Sequence, residues 1–407
     1  MITEKMNEAF KKVEGGLFSK VEKADVGDAV AKMRENGVAL MSWADPFFPD
    51  PSVPPHVAEA MIASIKSGFA SHYTMPIGNT ELKNEIAKKL ERVNHIKADP
   101  QRNILVTPGS DSGLFFAMLP FICPGDEVMI IDPSYPNNFQ NAEIMGGTVI
   151  RIPVYAENGY QFNIEDFENA VTAKTKMVVL TNPNNPTSTV YSREKLEQLS
   201  KFIIKNDLVL VVDQAFEEPV FDGVEMVTMA NLPDMWERTV TVYSLSKGMG
   251  LSGLRVGYIV ADDRVMDKMY GSAVTVLGAT NTAAQMGAIA ALQDDSFTAK
   301  YFESFDRRRR FVYNALHNIP GVSMLMSQSG FLSWVDVSKL GSESEVLQYL
   351  AKHAMVSINS GAPYGNNGKG HIRIVHGVLG NEQEMELAIN RIRDGLLKLS
   401  KEKGIKG

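Results

Sequence analysis

Six short apolar runs, dense in β-branched residues, alternate with helical stretches from about residue 103 onward. The runs are Ile104–Thr107, Glu127–Ile131, Lys176–Leu180, Leu208–Val212, Thr239–Tyr243 and Val256–Val260. A strand with one wet face alternates apolar and polar residues, whereas a strand covered on both faces is apolar almost throughout. The pattern therefore predicts an α/β fold, a mostly parallel sheet with helices packed on both faces.

The flanking segments read differently. Residues 1–40 are polar and helical in pattern, with a break at Gly15 and Gly16, and the prolines between Trp43 and Pro55 forbid a regular helix. Helical patterns follow at 56–68 and 79–93. A long helix is expected over 296–318, with Arg307–Arg310 as a solvated or salt-bridged face. The C-terminal part mixes strands (331–336, 371–375) with helices (343–353, 381–402), which predicts a smaller α+β unit. The expected division is an N-terminal arm over 1–44 that belongs with the small unit, a large domain over 45–305 and a small C-terminal domain over 306–407.

Composition narrows the function classes. With 41 Lys and Arg against 48 Asp and Glu, the net charge is −7, which disfavours a general nucleic-acid or anionic-membrane binder. The single cysteine, Cys123, forbids an intrachain disulfide and a multi-cysteine metal centre, and no metal is expected. The first residues, MITEKMNEAFKKVEGG, contain no apolar signal core, and no apolar run is long enough to span a bilayer. A cytoplasmic protein without nucleic-acid or membrane partners is the expectation.

Five of the apolar runs end in polar clusters: Pro108–Gly113, Asp132–Pro136, Thr181–Ser188, Asp213–Phe216 and Ser244–Lys247. Ligands of open α/β sheets sit beyond the carboxyl ends of the strands, so five such ends converge on one pocket. Its inventory is a Gly-Ser loop opening a helix, which makes an anion site, together with Asp213, Lys247, Asn185, Tyr135 and, eight positions past the lysine, Arg255. Singly, each has a plainer explanation. A lone lysine is usually a surface charge, Asp213 suits a turn, and Tyr135 suits a core. The string Gly248-Met-Gly-Leu-Ser-Gly253 matches a dinucleotide-binding fingerprint, but the next strand-like run starts at about Arg255 and leaves no room for the helix that motif must open.

Ser244-Leu-Ser-Lys-Gly-Met-Gly-Leu-Ser-Gly-Leu-Arg-Val-Gly257 resembles the signature of the fold-type I pyridoxal-phosphate enzymes, in particular the class I/II aminotransferases. Asn182–Thr187, Asp213–Phe216, Tyr73–Gly78 with Glu81–Lys83, and Gly361–Gly365 with Ile372–Ile374 resemble further motifs of that family in the same order, so the resemblance runs from about residue 40 to 395. It implies pyridoxal 5'-phosphate as cofactor and Lys247 as the Schiff-base lysine and proton shuttle. Asp213 would hold the proton of the ring nitrogen, Asn185 would bind the phenolic oxygen, and Tyr135 would stack on the ring. The N–H groups of Ser110 and Asp111, with Ser244 and Arg255, would bind the phosphate, and the Asp111 side chain would turn away from it toward the helix start. Tyr73 would reach the phosphate of a partner subunit in a homodimer. Arg373 would clamp the substrate α-carboxylate, with Trp43, Ala44 and Asn185 lining the substrate side.

The chain departs from the family pattern at Phe216, where a tyrosine is usual, at Ser188 in place of glycine, and at Ala44-Asp45-Pro46 in the substrate loop. The expected function is transfer of an amino group between an α-amino acid and an α-keto acid. The alternative is another reaction on the same cofactor, a β- or γ-lyase, a decarboxylase or a synthase. A non-catalytic regulator on this fold is disfavoured, because the 40 residues before the resemblance hold no winged-helix pattern and because Lys247 and Asp213 are retained.

Overall fold

The computed structural model describes residues 2–11, 33–50 and 52–405. The expected break at Gly15 and Gly16 lies outside them. Within the N-terminal arm, helical turns occupy Ile2–Lys5 and Glu8–Lys11, and the arm ends in a short strand, β1 (Ala39–Leu40).

The large sheet contains β2 (Ile104–Thr107), β3 (Glu127–Asp132), β4 (Thr148–Pro153), β5 (Thr175–Thr181), β6 (Val209–Asp213), β7 (Thr239–Ser244) and β8 (Gly257–Val260). Their spatial order is β2-β8-β7-β6-β5-β3-β4. The ladders from β7 through β4 are parallel, and β8 is antiparallel to both β7 and β2. All six apolar runs are strands. The seventh, β4, carries Arg151 at its centre and lies at the sheet edge, so its pattern is less uniformly apolar. A single 3-10 turn, Ser252–Leu254, links β7 to β8. The glycine string therefore opens no helix.

Successive strand residues point to opposite faces, and both faces are buried. Leu105, Val128, Ile130, Met177, Val179, Val211 and Val242 enter one apolar cluster. On the other face, Met129, Ile131, Val178, Leu180, Leu210 and Val212 enter a second cluster, and Val106, Tyr243 and Tyr258 a third. Helices cover these faces, among them Thr80–Lys89, which Asn79 caps through the N–H of Glu81 at 2.8 Å.

A second sheet, antiparallel, comprises β9 (Ser323–Met324), β10 (Leu332–Asp336), β12 (Asn359–Ser360) and β13 (His371–Val375), and β11 (Val356–Ser357) pairs in parallel with β1. Helices Glu343–His353 and Glu382–Glu402 contribute Leu350, Ile389, Ile392 and Leu396 to its core. Residue 305 falls inside the continuous helix Thr298–Leu316.

The arginine run on that helix is salt-bridged, one of the two expected readings, but half of it is not a surface face. Arg307 and Arg310 are exposed, but Arg308 and Arg309 are only 1 % exposed. Arg308 donates to the carbonyls of Val378 (2.7 Å) and Leu379 (3.0 Å) and pairs with Glu382 at 3.1 Å. Arg309 pairs with Asp222 at 2.8 Å and Asp306 at 2.5 Å. Half of the run is thus a buried, ion-paired tie, because Asp222 and Glu382 are brought to it from distant segments. Among the described residues, no helix is long and apolar enough to cross a membrane.

Candidate active site

The strand ends deliver their polar clusters to one place. Asp213 ends β6, beside Val242 of β7, and Lys247 lies three residues beyond the end of β7. Asp213 is buried, and its carboxylate accepts a hydrogen bond from the Ala215 N–H at 3.2 Å. Burial pushes its pKa up to about 7, against the Ala215 bond and the positive charge of Lys247. Lys247 is moved the opposite way. Burial first, then the cations Arg373 and Arg255, lower its amine to about 8, while Asp111 and Asp45 pull upward. Its Nζ donates to the Ala44 carbonyl at 2.6 Å.

The helix Ser110–Met118 follows β2 through Gly109, whose φ is +83°. A Cβ at Gly109 would also collide with the guanidinium of Arg255, so only glycine fits both the conformation and the close approach. No side chain caps this helix, so its first N–H groups are turned to the site without an intrahelical acceptor. Arg255 donates to the Ser252 carbonyl at 2.8 Å and lies 3.7 Å from Asp111. Ser244 Oγ accepts from the Ser246 N–H at 3.1 Å.

The Asp111 carboxylate does not turn away to serve the helix start. Its Oδ1 accepts from the Tyr135 hydroxyl (2.9 Å) and from Asn137 Nδ2 (3.1 Å). Two neutral donors and the nearby guanidinium hold it inside the site. Burial and Asp111 raise the Tyr135 phenol well above its ordinary value, so Tyr135 stays a donor.

The second sheet closes the site from above. Arg373 on β13 is buried and donates to Asn359 Oδ1 through Nη2 (2.7 Å) and Nε (3.2 Å), to Asn185 Oδ1 (3.1 Å) and to the Ser42 carbonyl (3.0 Å). Its guanidinium also lies 5.0 Å from the centre of the Tyr364 ring. Phe216 is buried against Phe331, with the Lys247 amine 5.9 Å from its ring centre. Trp43 packs on Phe48 at 5.1 Å. Tyr73 is not brought to this pocket; it is 97 % exposed.

Sequence reasoning missed Asn359, Tyr364 and Asn137 as contributors. Asn359 sits on a two-residue strand, just before the quoted Gly361–Gly365 segment and outside it. Tyr364 lies within the quoted Gly361–Gly365 segment, and its aromatic character between two glycines was the available signal.

A family model for aminotransferase class I and II matches residues 40–392. The chain is 29% identical over 348 residues to the aspartate aminotransferase of Pyrococcus abyssi, covering 84% of this chain and 88% of that one. It is equally 29% identical over 348 residues to aromatic-amino-acid aminotransferase 2 of Thermococcus litoralis, with the same coverage of 84% and 88%. The solved structure of an alanine aminotransferase from Pyrococcus furiosus matches with a TM-score of 0.85 at 25% identity, covering 97% of this chain and 100% of that one. The chain belongs to the class I and II aminotransferases, enzymes that use pyridoxal 5'-phosphate to move an amino group between amino and keto acids.

Proposed function

We propose that Lys247 carries the cofactor and moves the proton at the substrate α-carbon, that Asp213 holds the proton on the cofactor's ring nitrogen, and that Arg373 receives the substrate α-carboxylate. The observation that carries this reading is the pairing of Asp213 and Lys247 at the ends of neighbouring strands, each desolvated and each pushed toward neutrality, to about 7 and about 8.

Pyridoxal phosphate, when bound, supplies an aldehyde that links to amines and a ring that draws electron density from the α-carbon. Only a neutral amine attacks a carbonyl carbon, and a pKa of about 8 gives Lys247 a useful neutral fraction near pH 7. The same amine is then a base of suitable strength for the α-carbon proton. Asp213 fits the ring nitrogen on its own chemistry. Its buried carboxyl, near 7, is short of partners and ionises readily when a cationic N–H faces it.

The N–H groups of Ser110 and Asp111, the Ser244 hydroxyl and the Arg255 fork suit a phosphate. Tyr135, fixed by Asp111, presents its ring as a stacking face. Asn185 commits Oδ1 to Arg373, which leaves Nδ2 to donate to the ring oxygen. Phe216 adds no donor beside it. Trp43 and Ala44 wall the substrate side.

Exposure of Tyr73 (97 %), together with Ile62, Ile65, Phe69 and Met75 on the same stretch, supports a homodimer in which Tyr73 reaches the partner's phosphate site. The 45–305 and 306–407 division, with residues 1–44 joining the smaller domain, and a cytoplasmic location go with this reading. The relatives' names span aspartate and aromatic donors, so the substrate class proposed is α-amino acids paired with α-keto acids. Lys247→Ala, folded as judged by circular dichroism, should lose both turnover and the visible absorbance of bound cofactor. Wild-type-like turnover in that variant contradicts the proposal.

A further inference from the structure

We propose that the buried ion pair between Lys89 and Glu217 is a positioning device, holding the turn that carries Asp213 and the turn that carries Lys247 in register. The inference rests on the roles proposed above for those two residues.

Lys89 ends the helix Thr80–Lys89, and Glu217 lies four residues past Asp213. Their side chains are only 6% and 10% exposed and are hydrogen-bonded to one another. The surroundings complete the pair. Lys89 also donates to Asn94 Oδ1 at 3.3 Å, and Glu217 Oε2 accepts from Asn94 Nδ2 at 2.7 Å. A further bond is the informative one: Gln214 Nε2 donates to the same Glu217 oxygen at 2.8 Å. Gln214 directly follows Asp213. Thr228 Oγ1 accepts from both Gln214 and Asn94 at 3.2 Å, which ties the two amides together. Burial alone would lower the Lys89 amine, but Glu217 and Glu218 raise it above its ordinary value, so it stays charged.

Asp213 has little direct support of its own. The bond its carboxylate accepts comes from Ala215, in the same turn. The direction of that carboxylate is therefore set by the backbone of residues 213–217, which the ion pair anchors through Gln214 and Glu217. The anchored segment also reaches the lysine. A Cβ on Gly248 would lie 3.0 Å from the Glu218 carbonyl oxygen, so the Glu218 backbone packs directly on the residue after Lys247. A buried ion pair is a poor way to gain stability compared with apolar residues of similar volume. Hydrogen-bonded to Asn94 and Gln214, it fixes an orientation that an apolar contact leaves loose.

The test replaces both charges, because removing one leaves the other buried and unpaired. Lys89→Met/Glu217→Leu is measured beside Gln214→Met, which keeps the ion pair and cuts its link to the turn. Misplacement of reacting groups by a fraction of an ångström predicts a kcat loss of about tenfold in the double variant, with KM within about twofold. It also predicts weaker cofactor binding, read by tryptophan-fluorescence titration of the cofactor-free protein, and a displaced pH titration of the visible band. Gln214→Met should show the same signature, roughly threefold in kcat, with an unchanged melting temperature. Wild-type kcat, cofactor affinity and band titration in both variants overturn the proposal, as does a fall in melting temperature alone. If the double variant does not fold, Gln214→Met decides by the same criteria. Wild-type turnover in Asp213→Asn would instead overturn the site reading beneath it.

Discussion

Lys247 Nζ donates a 2.6 Å hydrogen bond to the carbonyl oxygen of Ala44, 203 positions earlier in the chain. The same loop, through the Ser42 carbonyl, accepts a 3.0 Å bond from Arg373. One stretch of backbone thus touches both Lys247 and Arg373, and it does so from a proline-rich segment with no regular structure of its own.

That loop is fastened at Asp45, whose Oδ1 accepts from the Ser252 hydroxyl. Ser252→Ala should loosen it without disturbing the sheet. Loss of one hydrogen bond to a charged group predicts a KM for the amino donor raised about threefold to tenfold, with a smaller change in kcat. Steady-state kinetics at saturating keto acid checks this.

Asn359 Oδ1 holds Arg373 by two bonds, at 2.7 and 3.2 Å. Asn359→Ala frees the guanidinium to swing and should raise the amino-donor KM by roughly tenfold, in line with a charge-assisted contact. Arg373→Lys should raise it further, since an ammonium cannot present a planar fork. An unchanged KM in Asn359→Ala would place the α-carboxylate elsewhere.

Asp213→Asn separates function from stability. Without cofactor, burial lifts Asp213 in the folded chain to about 7, from an ordinary value of 3.8. A carboxyl whose pKa rises on folding makes the folded state bind more protons. Its contribution is greatest below the unfolded value and is lost as pH rises through about 7. At 1.36 kcal/mol per pH unit the loss is roughly 4 kcal/mol as an upper bound. Asparagine does not titrate. Cofactor-free Asp213→Asn should therefore melt above the wild type at pH 8, with the gap narrowing from about pH 7 downward and closing below about pH 4, where Asp213 becomes protonated in both states. Turnover of the loaded variant should fall by about a hundredfold or more. Parallel melting curves at every pH would contradict the buried, partner-poor carboxyl.

Phe216 lies 5.9 Å from the Lys247 amine and offers no hydroxyl. In Phe216→Tyr a phenol could donate to the cofactor's ring oxygen beside Asn185 and stabilise its ionised form. One such bond is worth about 1.5–3 kcal/mol, or roughly one to two pH units. The visible band of the loaded variant should titrate lower than that of the wild type by up to that amount. Titration at the same or a higher pH would mean that residue 216 does not face that oxygen.

The centre of the sheet and the site residues at its strand ends were legible because burial on both faces leaves a continuous apolar signal and because the polar ends stand out against it. β4 was not read, since an edge strand with Arg151 at its centre dilutes that signal. β1 and β11 are two residues each, too short for any periodicity. Burial of Arg308 and Arg309 depends on Asp222 and Glu382, which only the tertiary fold brings to the helix. Asn359 was invisible for the same reason. The Asp111 carboxylate was misdirected because its donors, Tyr135 and Asn137, come from the next strand end.

Borohydride reduction of the loaded enzyme shows which lysine carries the cofactor. Reduction fixes the cofactor to its lysine, and peptide mapping by mass spectrometry then locates it. The expected outcome is a single labelled peptide containing Lys247 and no label in Lys247→Ala. Label on a peptide lacking residue 247 would contradict it.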